Sequence, residues 1–221
     1  MLGVTSEGGR VTGAETSEGV ISAGIVVVEA GFRTSALLAP LGVDLPITPV
    51  RHAISVVERT PDFGDIHPVV SDRVARAYYR PERGTLSLLG EHDPLKGPVD
   101  DEVEAAKAPI LDEEVSLIER FAQRFPGQEL ASKMQGYTGV YDCSPDFQPA
   151  FGRVQAVDGL SVGAGFSGHG FKLSPGIGKI MNDLVVDGTT DMIDVHPFRV
   201  ERFAENDLLL GGERYSNRSL A

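Results

Sequence analysis

Residues 160–186 read LSVGAGFSGHGFKLSPGIGKIMNDLVV, and their interpretation decides the fold. The apolar run 160–164 has the length of a strand, a glycine-rich loop follows, and the spacing predicts a helix over 175–186 with Pro175 near its first turn. Gly163, Gly165 and Gly168 match the letters of G-x-G-x-x-G. A dinucleotide fingerprint also needs a helix that begins within the motif and a second strand with an acidic end about 20 residues on. Here the helix is expected only from Pro175, and a turn is expected after Asp187, so the motif is not read as that fingerprint. Its physical content stands. Gly163, Gly165, Gly168 and Gly170 let backbone amides approach a flat or anionic ligand, with the positive end of the following helix aimed at the same place. A glycine-rich turn that only permits tight packing is the plainer alternative.

Upstream, residues 1–16 (MLGVTSEGGRVTGAET) read as the tail of one strand, a Gly-Gly turn and a second strand. Residues 19–31 give a polar turn, a short strand and the run Ile25, Val26, Val27, Val28, whose continuous hydrophobicity predicts a strand buried on both faces as in a parallel sheet. Thr34 or Ser35 is expected to cap a short helix through Leu38 and Leu41, and 45–49 (LPITP) to be extended. Period-two alternation in 50–58, 73–79 and 85–89 predicts an antiparallel sheet with one wet face. Residues 91–108 read as an acidic, proline-containing loop. Residues 112–125 place Val115, Ile118, Phe121, Ala122 and Phe125 at helical spacing behind an acidic first turn. A strand over 133–141 leads into Ser144-Pro145-Asp146. The fold class is mixed α/β.

Composition narrows the function. With 221 residues, 41% hydrophobic and 24% charged, the chain has the makeup of a folded globular protein, and 26 Gly and 14 Pro favour strands and turns over a helical bundle. A formal net charge of -12 repels phosphate backbones and anionic lipid, so no nucleic-acid partner is expected. The longest apolar run is far short of a bilayer span and the N-terminus lacks a basic-then-apolar leader, so a soluble, unexported chain without a membrane partner is expected. Cys143 is the single cysteine, which removes intrachain disulfides and cysteine zinc clusters; a cytoplasmic location is the expectation, with no metal.

Residues 165–178 (GFSGHGFKLSPGIG), preceded by 141–152 (YDCSPDFQPAFG), resemble the C-terminal signature of FAD-dependent amine and amino-acid oxidoreductases of the D-amino-acid oxidase and sarcosine oxidase group. The resemblance extends to 25–31 (IVVVEAG), similar to the strand and Ala-Gly turn closing the first half of that family's FAD domain. It extends also to 78–82 (YYRPE), similar to a strand of its substrate domain, and so spans about 20–203. It implies the later part of a Rossmann-like FAD domain over 1–49, an antiparallel-sheet substrate domain over 50–133, a return to the FAD domain over 134–203 and a C-terminal tail over 204–221. Family members open with a strand and a true G-x-G-x-x-G loop that seat the FAD pyrophosphate, and nothing before Ile25 resembles that unit. The expectation is a truncated chain: a fragment gene, a partial sequence, or one chain of a split enzyme whose second chain supplies the missing unit.

By the same resemblance the loop 168–172 lies along the isoalloxazine edge, which assigns Ala30, Gly31, Gly165, Gly168, His169, Gly170, Phe171 and Lys172 to the cofactor. Lys172 is the candidate cation for flavin N1 and O2 and for a substrate carboxylate, because a cation at a helix start is disfavoured unless an anion is bound. His169 either transfers a proton or packs over the ring through its backbone. Tyr79, Arg80, His92 and Tyr141 are the substrate-side candidates. Alternation sends Tyr79 and Arg80 to opposite faces; the resemblance favours Tyr79 as the catalytic neighbour, against an aromatic on the packed face, while Arg80 offers a bidentate fork for a carboxylate. Cys143 is expected to be a small buried residue, since the position at which some sarcosine oxidases attach FAD resembles Gly139. The lysine that assists oxygen in monomeric sarcosine oxidases resembles Leu88, so dehydrogenase and oxidase both stand.

The implied activity is hydride transfer to flavin from the C–H beside the amine of a small amino acid or N-alkyl amino acid. A non-catalytic remnant or partner subunit without its own FAD site is the alternative. If the neighbours of the 25–28 strand are absent, the isolated chain exposes apolar surface or an open strand edge and should self-associate. Light scattering with a hydrophobic dye checks this; a compact monomer that binds no dye contradicts it.

Overall fold

The computed structural model describes residues 1–64, 66–92 and 111–210. Most of the acidic loop expected over 91–108 and the end of the tail over 204–221 therefore lie outside the described residues. Along the chain, β1 (Gly3–Glu7) and β2 (Arg10–Thr16) form a hairpin and β3 (Gly19–Ser22) completes an antiparallel ribbon. Gly8 and Gly9 make the hairpin turn at φ 57° and 80°, the backbone that a two-residue turn between right-twisted strands requires. Then come β4 (Val26–Val28), a 3-10 turn at Gly31–Arg33 and α1 (Thr34–Leu38). Next are β5 (Thr48–Glu58), β6 (Val70–Asp72), β7 (Ala77–Pro81), β8 (Leu86–Glu91) and α2 (Leu111–Arg124). The chain continues with β9 (Ser132–Lys133), β10 (Tyr137–Cys143), β11 (Ala150–Arg153), β12 (Leu160–Ala164) and α3 (Gly170–Val186). Among the described residues no helix is long and apolar enough to cross a membrane.

The described chain divides into two compact units, 1–48 with 141–210, and the described part of 49–140. The second crossing falls at 140/141 instead of 133/134, because β10 runs unbroken from the sheet of one unit into the loop of the other.

In the first unit β12 is central, antiparallel to β11 and parallel to β4, in the order β11-β12-β4. Val26, Val28, Leu160 and Val162 enter one core with Leu38 and Leu45. The expectation of a strand buried on both faces is corrected here: Val26 and Val28 point inward while Val27 is 41% exposed, and β4 is the edge of the described sheet. The expected Thr34 or Ser35 cap is also replaced. Thr34 begins α1 and its Oγ1 accepts from the Ala30 amide at 3.1 Å, while Ser35 Oγ donates to the Leu45 carbonyl at 2.6 Å.

α3 begins at Gly170, five residues before the expected Pro175, which lies inside the helix. Pro175 has no N–H for the carbonyl of Phe171, and the Ser174 hydroxyl takes that carbonyl instead at 2.9 Å. A helix therefore does start just after Gly168. Among the described residues no strand follows α3 to serve as the second strand of a dinucleotide fingerprint.

The other unit holds a sheet in the order β10-β5-β8-β7-β6, with β9 paired to β5. The strand expected over 73–79 is a turn at 73–76 followed by β7, because the Asp72 carboxylate accepts the amides of Val74 and Ala75 at 3.0 and 2.8 Å. α2 lies on one face, its core side formed by Leu117 and Phe121 with Ile118 and Phe125 beside them. Val115, expected to face inward, is exposed. Ion pairs Arg51–Glu113 at 2.9 Å and Arg120–Glu91 at 3.2 Å tie the helix to the sheet, and Leu117 takes the inward place expected of Val115 while Ile118, Phe121 and Phe125 keep theirs.

Register settles Tyr79. Val57, Leu89 and Tyr79 share the face under α2, and Tyr79 is 0% exposed between Phe121 and Phe125. Tyr79 is a core residue, a correction to its expected catalytic place. Its hydroxyl has no hydrogen-bond partner among the described residues, and burial, with the Asp72 charge next, pushes its pKa up to about 12. Tyr79→Phe should therefore leave thermal stability unchanged or raise it, since the lost hydroxyl is a buried group with nothing to bond. Phe121→Ala, which opens a cavity in the same cluster, should cost about 3–5 kcal/mol. Chemical denaturation of both variants checks the pair.

Candidate functional site

The glycine-rich loop joins β12 to α3 and is held from beneath by β10 and its continuation. The Asp142 carboxylate accepts the amides of Gly165 at 2.8 Å and Phe166 at 3.3 Å, and its carbonyl accepts the Ser167 amide at 3.2 Å. Ser167 Oγ accepts from the Ser144 amide at 3.2 Å and donates to the Gly165 carbonyl at 3.1 Å. Gly165, Ser167 and Gly168 sit at φ 74°, 51° and 85°; a left-handed serine is uncommon, and these bonds offset its cost. A Cβ at Gly168 would lie 2.8 Å from the Tyr141 ring, and one at Gly165 would lie 2.9 Å from Ile47, so both positions require glycine.

A buried ion pair supports that platform. Asp146 and Arg202 are each 0% exposed, joined by Nε to Oδ2 at 2.9 Å and Nη2 to Oδ1 at 3.0 Å. Arg202 also donates to the carbonyls of Gln148, Phe198 and Arg199, and Asp146 accepts the amides of Gln148 and Leu209. Ser144 Oγ reaches both Asp146 and the Gln148 carbonyl. With nearly every polar atom satisfied, the pair escapes the penalty of an unpaired buried charge.

Above the platform the site faces solvent. His169 precedes α3 with no side-chain cap, no acidic residue occupies the first turn, Lys172 is exposed and Phe171 is 96% exposed. Among the described residues the amides of Gly168, Gly170 and Phe171 donate to no protein acceptor. A cavity of about 230 Å³ lies alongside, lined by Glu29, Phe166, Gly170, Phe171, Ser174 and Ile177. Burial, then the Lys172 charge, lowers the His169 pKa against an opposing contact with the Phe166 backbone, so neutral imidazole is favoured. The arrangement offers backbone donors, one helix end and a cation to an electron-rich edge.

Of the expected residues, Gly168, His169, Gly170, Phe171, Lys172 and Tyr141 come together in this unit. Gly165 shapes the loop, its amide being taken by Asp142. Ala30 and Gly31 follow β4, Gly31 at φ 55° with open space where a Cβ would be. Arg80 and His92 lie in the other unit with Tyr79; Arg80 pairs with Glu82, and His92 bonds Ser71 Oγ at 3.0 Å. On the sheet face opposite α2, Tyr78 lies over Gly90, leaving no room for a Cβ; it stacks on His52 at 6.3 Å and meets His92 at 5.5 Å with the rings tilted by 54°. Alternation placed Tyr79 and Arg80 on opposite faces correctly, but only the α2 contact shows that Tyr78 is the exchangeable partner. Asp142 was missed because its partners lie 23 and 24 residues away with no spacing signal. Cys143 is buried, and burial, then the Asp142 charge, pushes its thiol up to about 12.

The two aspartates should respond to acid with opposite signs. Burial raises the Asp142 pKa, and the amides of Phe166, Gly165, Asp142 and Ser167 only partly pull it back. Burial also acts on Asp146, but the Arg202 guanidinium and the amides of Leu209 and Gln148 outweigh it and hold that carboxyl below the usual range. A raised carboxyl contributes stability as pH falls through its folded pKa, above the ordinary value of about 4; a depressed one contributes stability that is lost as pH falls below that value. Asp142→Asn should remove the first effect and keep the fold. Arg202→Met, which strands Asp146, should cost about 3–5 kcal/mol near neutral pH. Denaturation between pH 3 and 7, about the span of both titrations, checks these signs.

Residues 1–184 match the model of the DAO family, described as FAD dependent oxidoreductase. A D-amino acid dehydrogenase of Cereibacter sphaeroides is 31% identical over 199 residues, covering 90% of this chain and 43% of that protein. A glycine oxidase of Pseudomonas putida is 30% identical over 205 residues, covering 91% and 52%. Among solved structures, L-proline dehydrogenase from P. horikoshii superposes with a TM-score of 0.82 at 25% identity, over 93% of this chain and 54% of that one. Glycine oxidase from Geobacillus kaustophilus gives 0.75 at 25% identity, over 91% and 51%. The chain thus spans about half the length of the relatives it matches. With the match covering most of the sequence and the glycine-rich loop and α3 inside it, the chain belongs to the DAO family of FAD-dependent oxidoreductases.

Proposed function

We propose that this chain forms the flavin-edge and substrate-sheet part of an FAD-dependent enzyme that oxidises the C–N bond of a small amino acid or N-alkyl amino acid. The observation that carries the reading is the glycine-rich loop, clamped below by Asp142 and open above at the amides of Gly168, Gly170 and Phe171 beside Lys172. The family's cofactor is FAD. The residues present fit its electron-rich pyrimidine edge: the amides of Gly168, Gly170 and Phe171 donate to no protein acceptor among the described residues, and the first turn of α3 carries no acid. The loop residues, with Ala30 and Gly31, would hold the cofactor, and Lys172 would favour negative charge at its edge. Bound FAD supplies the hydride acceptor, and the protein supplies binding and orientation. Unit 1–48 with 141–210 is read as the FAD-binding side and 49–140 as the substrate side, where Tyr78, Arg80 and His92 replace Tyr79 as candidates. A second chain supplying the rest of the nucleotide site is part of this proposal, and the relatives' names point to amino-acid substrates.

By the family resemblance Lys172 is the candidate for a carboxylate on the substrate, to which an ammonium gives charge-assisted hydrogen bonds. In the FAD-loaded complex, Lys172→Met should weaken an amino-acid substrate by about 2–5 kcal/mol, shift the flavin potential, and affect an uncharged amine much less. Steady-state kinetics on sarcosine-like acids and neutral amines, with a potentiometric titration, test this. Equal losses on both substrates would return the loop to a flavin-packing role, and failure of purified protein to take up FAD even with a candidate second chain would refute the proposed function.

A further inference from the structure

We infer that Asp142 is a positioning residue, which folds the loop against itself from below so that the remaining amides face the ligand side; its relevance to FAD rests on the function proposed above. Every buried backbone donor needs an acceptor, and the donors of 165–171 divide into two sets. Those of Gly165 and Phe166 go to the Asp142 carboxylate, that of Ser167 to the Asp142 carbonyl and that of His169 to the Phe166 carbonyl. Those of Gly168, Gly170 and Phe171 have no acceptor among the described residues.

A single residue thus takes three consecutive amides, two through one carboxylate oxygen and one through its backbone carbonyl. Three positive φ values within four residues make the loop costly without such an anchor. The anchor's neighbours contribute geometry on the same strand: Tyr141 lies against Gly168, and Cys143 pairs with Phe166 across an isolated antiparallel bridge. Asp142 therefore does not touch the ligand. It acts through the amides it removes from the site.

The test uses the full chain, with backbone amide exchange resolved by residue and FAD as the probe ligand. Asp142→Ala should speed exchange at Gly165 and Phe166 by about 30-fold or more while the core amides of Val162 and Ile180 stay protected, and should weaken FAD by about tenfold or more. Asp142→Asn, which keeps an acceptor oxygen, should restore both to within about threefold, a rescue that loss of packing would not show. Should Asp142→Ala not fold, the wild-type amide proton shifts of Gly165 and Phe166 should titrate with one carboxyl group and cease to do so in Asp142→Asn; His169→Gln separates the neighbouring imidazole. Unchanged exchange in Asp142→Ala, absent rescue by Asp142→Asn, or amide shifts that do not titrate would overturn the inference. Wild-type FAD binding indifferent to Asp142 would overturn its positioning role and leave the proposed function intact. Absence of FAD binding by the wild type, with the exchange pattern as expected, would refute the proposed function and leave the clamp established.

Discussion

The loop that defines the site rests on one buried charge pair. Asp146 and Arg202 lie without solvent contact and between them engage the carbonyls of Gln148, Phe198 and Arg199 and the amides of Gln148 and Leu209. Such a pair gains little over an apolar packing of the same shape, because desolvation consumes most of its Coulomb attraction. What it supplies is geometry. Five backbone groups are fixed around one carboxylate and one guanidinium, and Ser144, bonded to both Asp146 and Gln148, passes that geometry to Ser167. The glycine-rich loop is thereby anchored by polar bonds on its lower side, and its upper side is left to backbone alone.

The same division of labour explains the two aspartates of the 142–146 turn. Asp146 meets a guanidinium and is stabilised as an anion; Asp142 meets only amides in a desolvated place and is raised toward neutrality. Amide dipoles offset part of a charge's hydration, whereas an opposite charge with its own donors offsets more of it. The Asp146 charge is balanced by the Arg202 guanidinium, and burial raises the Asp142 pKa beneath a loop whose upper face is suited to an electron-rich ligand.

In the other unit, a face choice governs the chemistry. The antiparallel sheet has its hydrophobic residues at period two, and α2 covers Val57, Leu89 and Tyr79. This leaves Tyr78, with its ring over Gly90 and flanked by two imidazoles, on the opposite face. Gly90 is required there for a steric reason, not a conformational one: its backbone lies outside the left-handed region, but the tyrosine ring occupies the place of a Cβ.

Local sequence determined the strands with uninterrupted or alternating apolar residues, the Gly8-Gly9 hairpin, the amphipathic helix near 112–125 and the glycine-rich loop beside a helix, because each follows from spacing or from the freedom of glycine within a few residues. The resemblance of 165–178 and 141–152 carried the family. Tertiary structure alone decided which face of β7 is packed, since Tyr78 and Tyr79 are equivalent until α2 selects one side. The start of α3 five residues before Pro175 rests instead on a local contact, the Ser174 hydroxyl taking the carbonyl that Pro175 leaves open. The grip of Asp142 and the pairing of Asp146 with Arg202 join residues 23 to 56 positions apart, distances over which no local pattern records which donor meets which acceptor. Hydrogen-bond satisfaction is a property of the folded interior, and only folding brings those groups within reach.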